Sequence, residues 1–394
     1  MADAAPDAIF PAPSNETADW DDPTDPEVAK VVGAMIGALG GVDAMTGMQQ
    51  MAVAAITASM TGQTMDLSAT PTVDPEGLAE VLRDRALPWR RNIVHVMLIG
   101  ALILDEIPAA LQANIERYAS ALGVVDDMLA VTARLAAGSR DAALADFQRS
   151  GYEGAWTTAQ TADVAGMEQV DSAWAAVEDH PDLAARWAAL QHCPPRSLGR
   201  GLWEFYTARG FAFPGQAGSA PPLLAQHDWV HVLTDYGSTV ESEIEVFSFI
   251  AMANEDPLSF SLQAMVLSLF ESGHLSTGAG LFESDAGHLS AGGEAMAIRM
   301  GDAMRRGFLC GTRSGGNDLL AIDWFALADE SLEDVRRQFH IVPKAQEAWE
   351  AGSVTAWERG GISPFQATNG REVATNAGFD YLSHGASPAE AKDD

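Results

Sequence analysis

The chain has 394 residues, 47% of them apolar, and carries 23 Lys plus Arg against 55 Asp plus Glu, a formal net charge of −32. A surface of that sign repels phosphate backbones and anionic lipid heads, so no nucleic-acid partner is expected, and any peripheral membrane contact would be apolar rather than electrostatic. Cys193 and Cys310, far apart and outside any C-x-x-C, build no disulfide framework, which fits a reducing, cytoplasmic setting.

Residues 1–26 are acidic and proline-rich, lack the basic and apolar regions of a signal peptide and the arginines of a mitochondrial presequence, and read as a disordered leader. Beyond them the patterning is helical almost throughout, and the length favours two domains. Residues 28–61 predict two close-packed helices broken near Gly40-Gly41. Asp74-Pro75-Glu76 predicts a helix start, with Asp as N-cap and Pro in the first turn. Pro88 opens a helix carrying the apolar run Ile93–Leu104, far short of the roughly 20 residues a bilayer span needs. Pro108 begins another, ending at Gly123, and residues 124–137 give one more. The bundle, residues 27–150, resembles the small TerB-like domains named for tellurite resistance, through LPWRRNIVHVMLIGALILDEIPAALQANIERYASALGV and the helices beside it. His95, inside the apolar run, reads as a satisfied core histidine. A Thr/Ala/Gln-rich stretch near 155–165 leads to a second helical domain, 166–345. Residues 360–394 read as a loose tail. The fold class is therefore all-α, with two helical domains.

The chemistry concentrates in QHDWVHVLTDYGSTVESEIEVFSFIAM, residues 226–252. His227 and His231 are four apart and share a helix face, the spacing at which two imidazoles bind one metal. Asp228 is a ligand, a hydrogen-bonding support for a histidine, or an acid/base group; spacing does not choose. Glu243, twelve residues past His231, would be about 18 Å away on a continuous helix. Gly237 offers a left-handed helix end, and Ser238 to Glu241 matches a capping box, so the chain is expected to reverse there. In an antiparallel pair His231 and Glu243 then stand at similar height, and the metal site sits in a helical hairpin. Glu241 and Glu245 compete for the fourth position; Glu241 suits the cap and Glu245 faces elsewhere. The same residues would also serve a plain helix pair, with His227–Asp228 on the surface and the glutamates solvated.

The pattern H-D-x-x-H, eleven residues, then Glu (His227, Asp228, His231, Glu243) resembles the signature of the coenzyme Q biosynthesis protein 4 family. CPPRSLGRGLWEFYTARGF (193–211), MGDAMRRGFLCG (300–311) and LLAIDWFALADESLEDVRRQFHI (319–341) are similar to further segments of that family, in the same order. The resemblance implies an all-helical fold, a divalent metal at the signature residues, usually zinc, with iron as the alternative, and a prenyl-lipid pocket beside it. It further implies a role in ubiquinone assembly. That role is either decarboxylation/hydroxylation at ring carbon one of a polyprenylated aromatic head-group precursor, with Asp228 catalytic, or a non-catalytic lipid-binding scaffold. A metallohydrolase is the weaker rival. Expected partners are a polyprenyl lipid or quinone precursor, other ubiquinone biosynthesis proteins, and further copies of the chain. The departures are the N-terminal bundle, the acidic leader and a loop insertion, Thr312–Asp318.

Elsewhere, His274 and His288 flank a Gly/Ser-rich stretch that reads as a solvated loop. Arg200, Arg305 and Arg306 suit either a ligand anion or the chain's own carboxylates. Phe247, Phe249, Met252, Phe260, Met265, Leu267 and Phe270 form an apolar stripe, core or lipid pocket. Walker, G-x-S-x-G and strand–turn–helix nucleotide loops are missing from the sequence.

Overall fold

The computed structural model describes residues 23–150, 180–217, 219–220, 222–254, 259–274, 286–315, 318–378 and 380–381. Among these the regular elements are helical, and an isolated bridge between Ser197 and Ser331 is the extent of β structure. The all-α expectation holds. The first half comprises α1 (Asp25–Ala38), α2 (Gly47–Thr61), α3 (Pro75–Val81), α4 (Leu87–Leu102), α5 (Ala109–Ala121), α6 (Asp127–Ala136) and α7 (Arg140–Ser150). The second comprises α8 (Pro181–Ala188), α9 (Leu198–Arg209), α10 (Pro222–Thr234), α11 (Val240–Ala253), α12 (Phe260–Leu267), α13 (His288–Ser314), α14 (Leu332–Gln338), α15 (Gln346–Glu350) and α16 (Pro364–Ala377).

The local signals act as their chemistry dictates. Asp74 caps α3, its Oδ1 accepting the Gly77 N–H at 2.8 Å, with Pro75 in the first turn. Gly40 and Gly41, both at positive φ, break the chain between α1 and α2. Asp25 and Pro26, read above as leader, belong to α1, because the Thr24 cap position and Glu27 close its first turn. The 155–165 linker lies outside the described residues. The apolar run makes α4 central: residues Ile93 through Leu102 are all buried, as a helix apolar all round must be.

The core does not divide at residue 150. One apolar cluster runs from Val28 through Phe339 and beyond. The His95 ring stacks on Phe260 of α12 (4.0 Å, 6°) while its Nε2 meets Asp126 at 2.7 Å, so this core histidine, satisfied at Nε2 but not at Nδ1, also joins the halves. His274 Nε2 meets the Leu104 carbonyl at 2.6 Å.

α13 lies between the halves and packs against both α2 and α11. Glycines permit its approach to α11: a Cβ on Gly307 or Gly311 would fall 2.1 and 2.3 Å from the carbonyl oxygens of Phe249 and Ala253. Gly307→Ala should therefore destabilise the protein by about 3 kcal/mol in denaturant unfolding; a cost below about 1 kcal/mol would mean the two helices separate freely.

Two expectations are corrected. The loose tail begins instead as α16, launched by Ser363, Pro364 and Gln366 in a capping box and packed on α9 where Gly370 meets the Ala208 carbonyl. Gly370 is required by that close approach. Thr312 to Ser314, read as part of a loop insertion, continue α13. No helix among the described residues is long and apolar enough to cross a membrane.

Candidate metal centre

The hairpin forms, by means partly different from those expected. Asp235, not Gly237, takes the left-handed conformation at the end of α10 (φ 64°), and the Tyr236 N–H bonds the His231 carbonyl at 3.1 Å, the wrap that closes such helix ends. Gly237 is needed for space: a Cβ there would lie 2.5 Å from the Gly361 Cα. Thr239, not Ser238, caps α11, accepting the Ser242 N–H. Ser238 is spent on the C-terminal segment. Its N–H bonds the Gly361 carbonyl (2.9 Å), its hydroxyl bonds Gln366 Oε1 (2.8 Å), and its carbonyl accepts from Gln366 Nε2 (3.0 Å).

Arginines anchor the end of α10 that carries the histidines. Arg336 donates to the carbonyls of Val232 (3.0 Å) and Leu233 (2.8 Å), and Arg306 to that of Thr234 (2.8 Å). These are orphan carbonyls of a helix C-terminus, where a cation is favoured. Arg306, a candidate for a ligand anion, is thus occupied with backbone, and Arg200 with the Glu204 carboxylate and the Gln191 carbonyl. Arg305 stands half-buried on α13 and is not among the residues lining the site pocket.

The four signature residues meet. Ligand atoms of His227, Asp228 and His231 lie within 4.8 Å of one another. Glu243 Oε2 reaches across from α11 to His227 Nε2 (3.5 Å) and His231 Nε2 (3.4 Å), and Asp228 Oδ1 lies 3.5 Å from His227 Nε2. Glu243 therefore joins the centre through the two imidazoles rather than through Asp228. With metal–ligand bonds of about 2.0–2.1 Å, the edge of a tetrahedron is about 3.4 Å, so these separations suit donors around one ion. The His227 Nδ1–H donates to the Leu224 carbonyl, leaving the Nε2 lone pair for the centre. His231 is fully buried, and neither ring nitrogen has a hydrogen-bond partner. A buried imidazole without hydrogen bonds is costly unless something else meets it, and a cation between Nε2 and the Glu243 carboxylate would do so. The donor set, two imidazoles with carboxylates, fits a divalent metal ion.

Charge is already strained here. Burial would lower His227, but the Asp228 charge and Glu243 outweigh it and lift its pKa to about 9. Burial would raise Glu243, but the two imidazoles hold its carboxyl well below the usual range.

The competitors lie elsewhere. Glu245 is buried against Arg299 (2.7 Å) and the Ser353 hydroxyl (2.5 Å), and Glu241 pairs with His288 at 3.3 Å. The loop between His274 and His288 falls mostly outside the described residues. Sequence reading missed Tyr206, whose hydroxyl donates to Asp228 Oδ2 at 2.5 Å, and Arg209, fully buried with its guanidinium 3.6 Å from the Phe205 ring centroid. Phe205 in turn stacks on His231 (5.4 Å, 28°). Both lie inside the 193–211 segment, but nothing in its spacing singles them out.

A pocket of about 160 Å³ opens on the centre. His227, Asp228, Glu243 and Tyr206 form its polar wall; Leu224, Val240, Phe247, Met265 and Phe270 are among its apolar walls. The apolar stripe is thereby divided: Phe247, Met265 and Phe270 face the pocket, while Phe249, Phe260 and Leu267 are core and Met252 lines a separate apolar cavity beside α1 and α2. Ser363 and Gln366, from the segment expected to be loose, also line the pocket. Comparison with known proteins found no matching family model, no curated relative and no similar solved structure.

Proposed function

We propose that this chain is a metal-dependent protein of coenzyme Q (ubiquinone) biosynthesis, acting on or presenting a polyprenylated aromatic head-group precursor at its ring carbon one. His227, His231 and Glu243 are the ligands, and Asp228 is a ligand or acid/base group. One observation carries the reading. The four segments that resemble the coenzyme Q biosynthesis protein 4 family all serve one site: 226–252 supplies the donors, 193–211 Tyr206, 300–311 Arg306 and 319–341 Arg336. Segments so distant in sequence, converging on one hairpin, support a shared function for them.

The metal, zinc in our reading and ferrous iron as the alternative, would supply Lewis-acid activation of a substrate oxygen or, as iron, oxygen chemistry. The chain's own part is positioning and exclusion of water. The apolar walls receive a ring or prenyl group, and the polar wall orients the oxygen substituents.

A scaffold role is the second reading, since four protein donors are the number that closes a structural zinc site. Three of the four line the pocket, however, which favours contact with a ligand. Asp228→Asn, assayed for bound metal by elemental analysis and for decarboxylation or hydroxylation of a prenylated hydroxybenzoate, separates the two. Turnover lost about 100-fold or more with metal and folding retained supports catalysis. Unfolding on chelation with no turnover in the wild type supports the scaffold. A wild-type protein holding neither metal nor prenyl lipid overturns both.

A further inference from the structure

Tyr206 supplies none of the four donors, yet it touches one of them on the side away from the others. Its hydroxyl donates to Asp228 Oδ2 at 2.5 Å, while Oδ1 of the same carboxylate faces His227 Nε2 at 3.5 Å. The ring cannot swing away. It lies parallel to Phe213 (5.4 Å, 3°), edge-on to Phe211 (5.7 Å, 90°) and against Trp187 (5.6 Å, 41°), which is itself buried. The bond is buried, with Tyr206 2% and Asp228 7% exposed. A free carboxylate binds a metal through one oxygen or both; one whose second oxygen is held by a fixed phenol presents only the first.

We propose that Tyr206 is a positioning residue that commits Asp228 to the metal as a one-oxygen ligand through Oδ1, and so sets the affinity and ligand field of the centre. This rests on the metal-site reading above and assigns Asp228 a place in it.

Tyr206→Phe keeps the ring and removes the bond. The full-length protein, stripped with chelator, is titrated with Zn²⁺ and Co²⁺ in wild type, Tyr206→Phe, Asp228→Ala and the double variant. Tyr206→Phe should bind about 10- to 100-fold more weakly, with shifted visible bands of the bound Co²⁺ and a melting temperature near that of the stripped wild type. In the Asp228→Ala background the same change should have little further effect, because the carboxylate through which it acts is gone. Equal affinity and an unchanged cobalt spectrum in Tyr206→Phe would overturn the inference and leave the metal site standing. So would an equal loss in both backgrounds, which would mean Tyr206 acts through the fold. If Tyr206→Phe fails to fold, a wild-type X-ray absorption measurement of two-oxygen Asp228 ligation would overturn it. A wild type that takes up neither ion would overturn inference and site together.

Discussion

At the proposed centre, His231→Leu should remove metal binding at little cost to the stripped protein. In the proposed centre His231 is one of two nitrogen donors, and zinc bound by four protein ligands would be worth about 10–16 kcal/mol, so losing one should weaken binding by at least about a thousandfold. In the stripped protein both ring nitrogens are buried without a hydrogen bond, Nε2 facing only the Glu243 carboxylate at 3.4 Å. Each such group carries a penalty of about 1–3 kcal/mol, which leucine does not, and this offsets the loss of packing on Phe205. With chelator, the two proteins should unfold within about 1 kcal/mol of each other. With zinc at a thousand times its Kd, the wild type should gain about 4 kcal/mol and the variant nothing. A zinc-dependent rise in melting temperature that survives in His231→Leu would remove this residue from the centre.

The same titration has a pH dependence of known sign. His227 in the metal-free protein keeps its proton to about pH 9. Below that, metal uptake displaces a proton, and affinity climbs with pH before levelling. Stability of the stripped protein moves the other way. A raised folded pKa contributes stability that is complete below the ordinary histidine value of about 6.5 and lost as pH rises through about 9.

Arg209→Met should be the most destabilising single change at the site, costing about 3–5 kcal/mol. The guanidinium is fully buried and donates to Ser238 Oγ (2.5 Å) and to the carbonyls of Phe205 (3.1 Å), Ala356 (2.6 Å) and Gly361 (3.1 Å). Burial pushes its pKa down to about 9, against the distant pull of Tyr381, Asp228 and Glu243. Replacing a buried charge by an apolar residue is sometimes neutral or better. Here its partners are mostly backbone carbonyls, which stay buried when the donor goes, so the unmet acceptors should decide the sign. Because Arg209 ties α9, the hairpin turn and the segment before α16 together, metal affinity should fall as well. A variant with wild-type unfolding midpoint and metal binding would show that the turn is held by the Gly361 and Gln366 contacts alone.

How much of this was legible in the chain follows from distance along it. The i, i+4 histidines, the Pro and Asp helix starts and the break between His231 and Glu243 are local patterns, and each element they mark is present. The meeting of Glu243 with both imidazoles was legible for the same reason: a short turn between two helices leaves few geometries. The exact device was not. Choosing Asp235 over Gly237 and Thr239 over Ser238 depended on Gly361 and Gln366 arriving against the turn from more than a hundred residues away.

The sequence by itself therefore determined the helices, the hairpin and the four donors, because propensity, capping and helical period act within a few residues. Only the tertiary structure decided what holds the donors in place. Tyr206 reaches Asp228 across 22 residues, Arg336 the end of α10 across 104, and Arg209 the Gly361 carbonyl across 152. Whether a buried polar group finds its partner at such separations is settled by packing of the whole chain, and no local pattern records it.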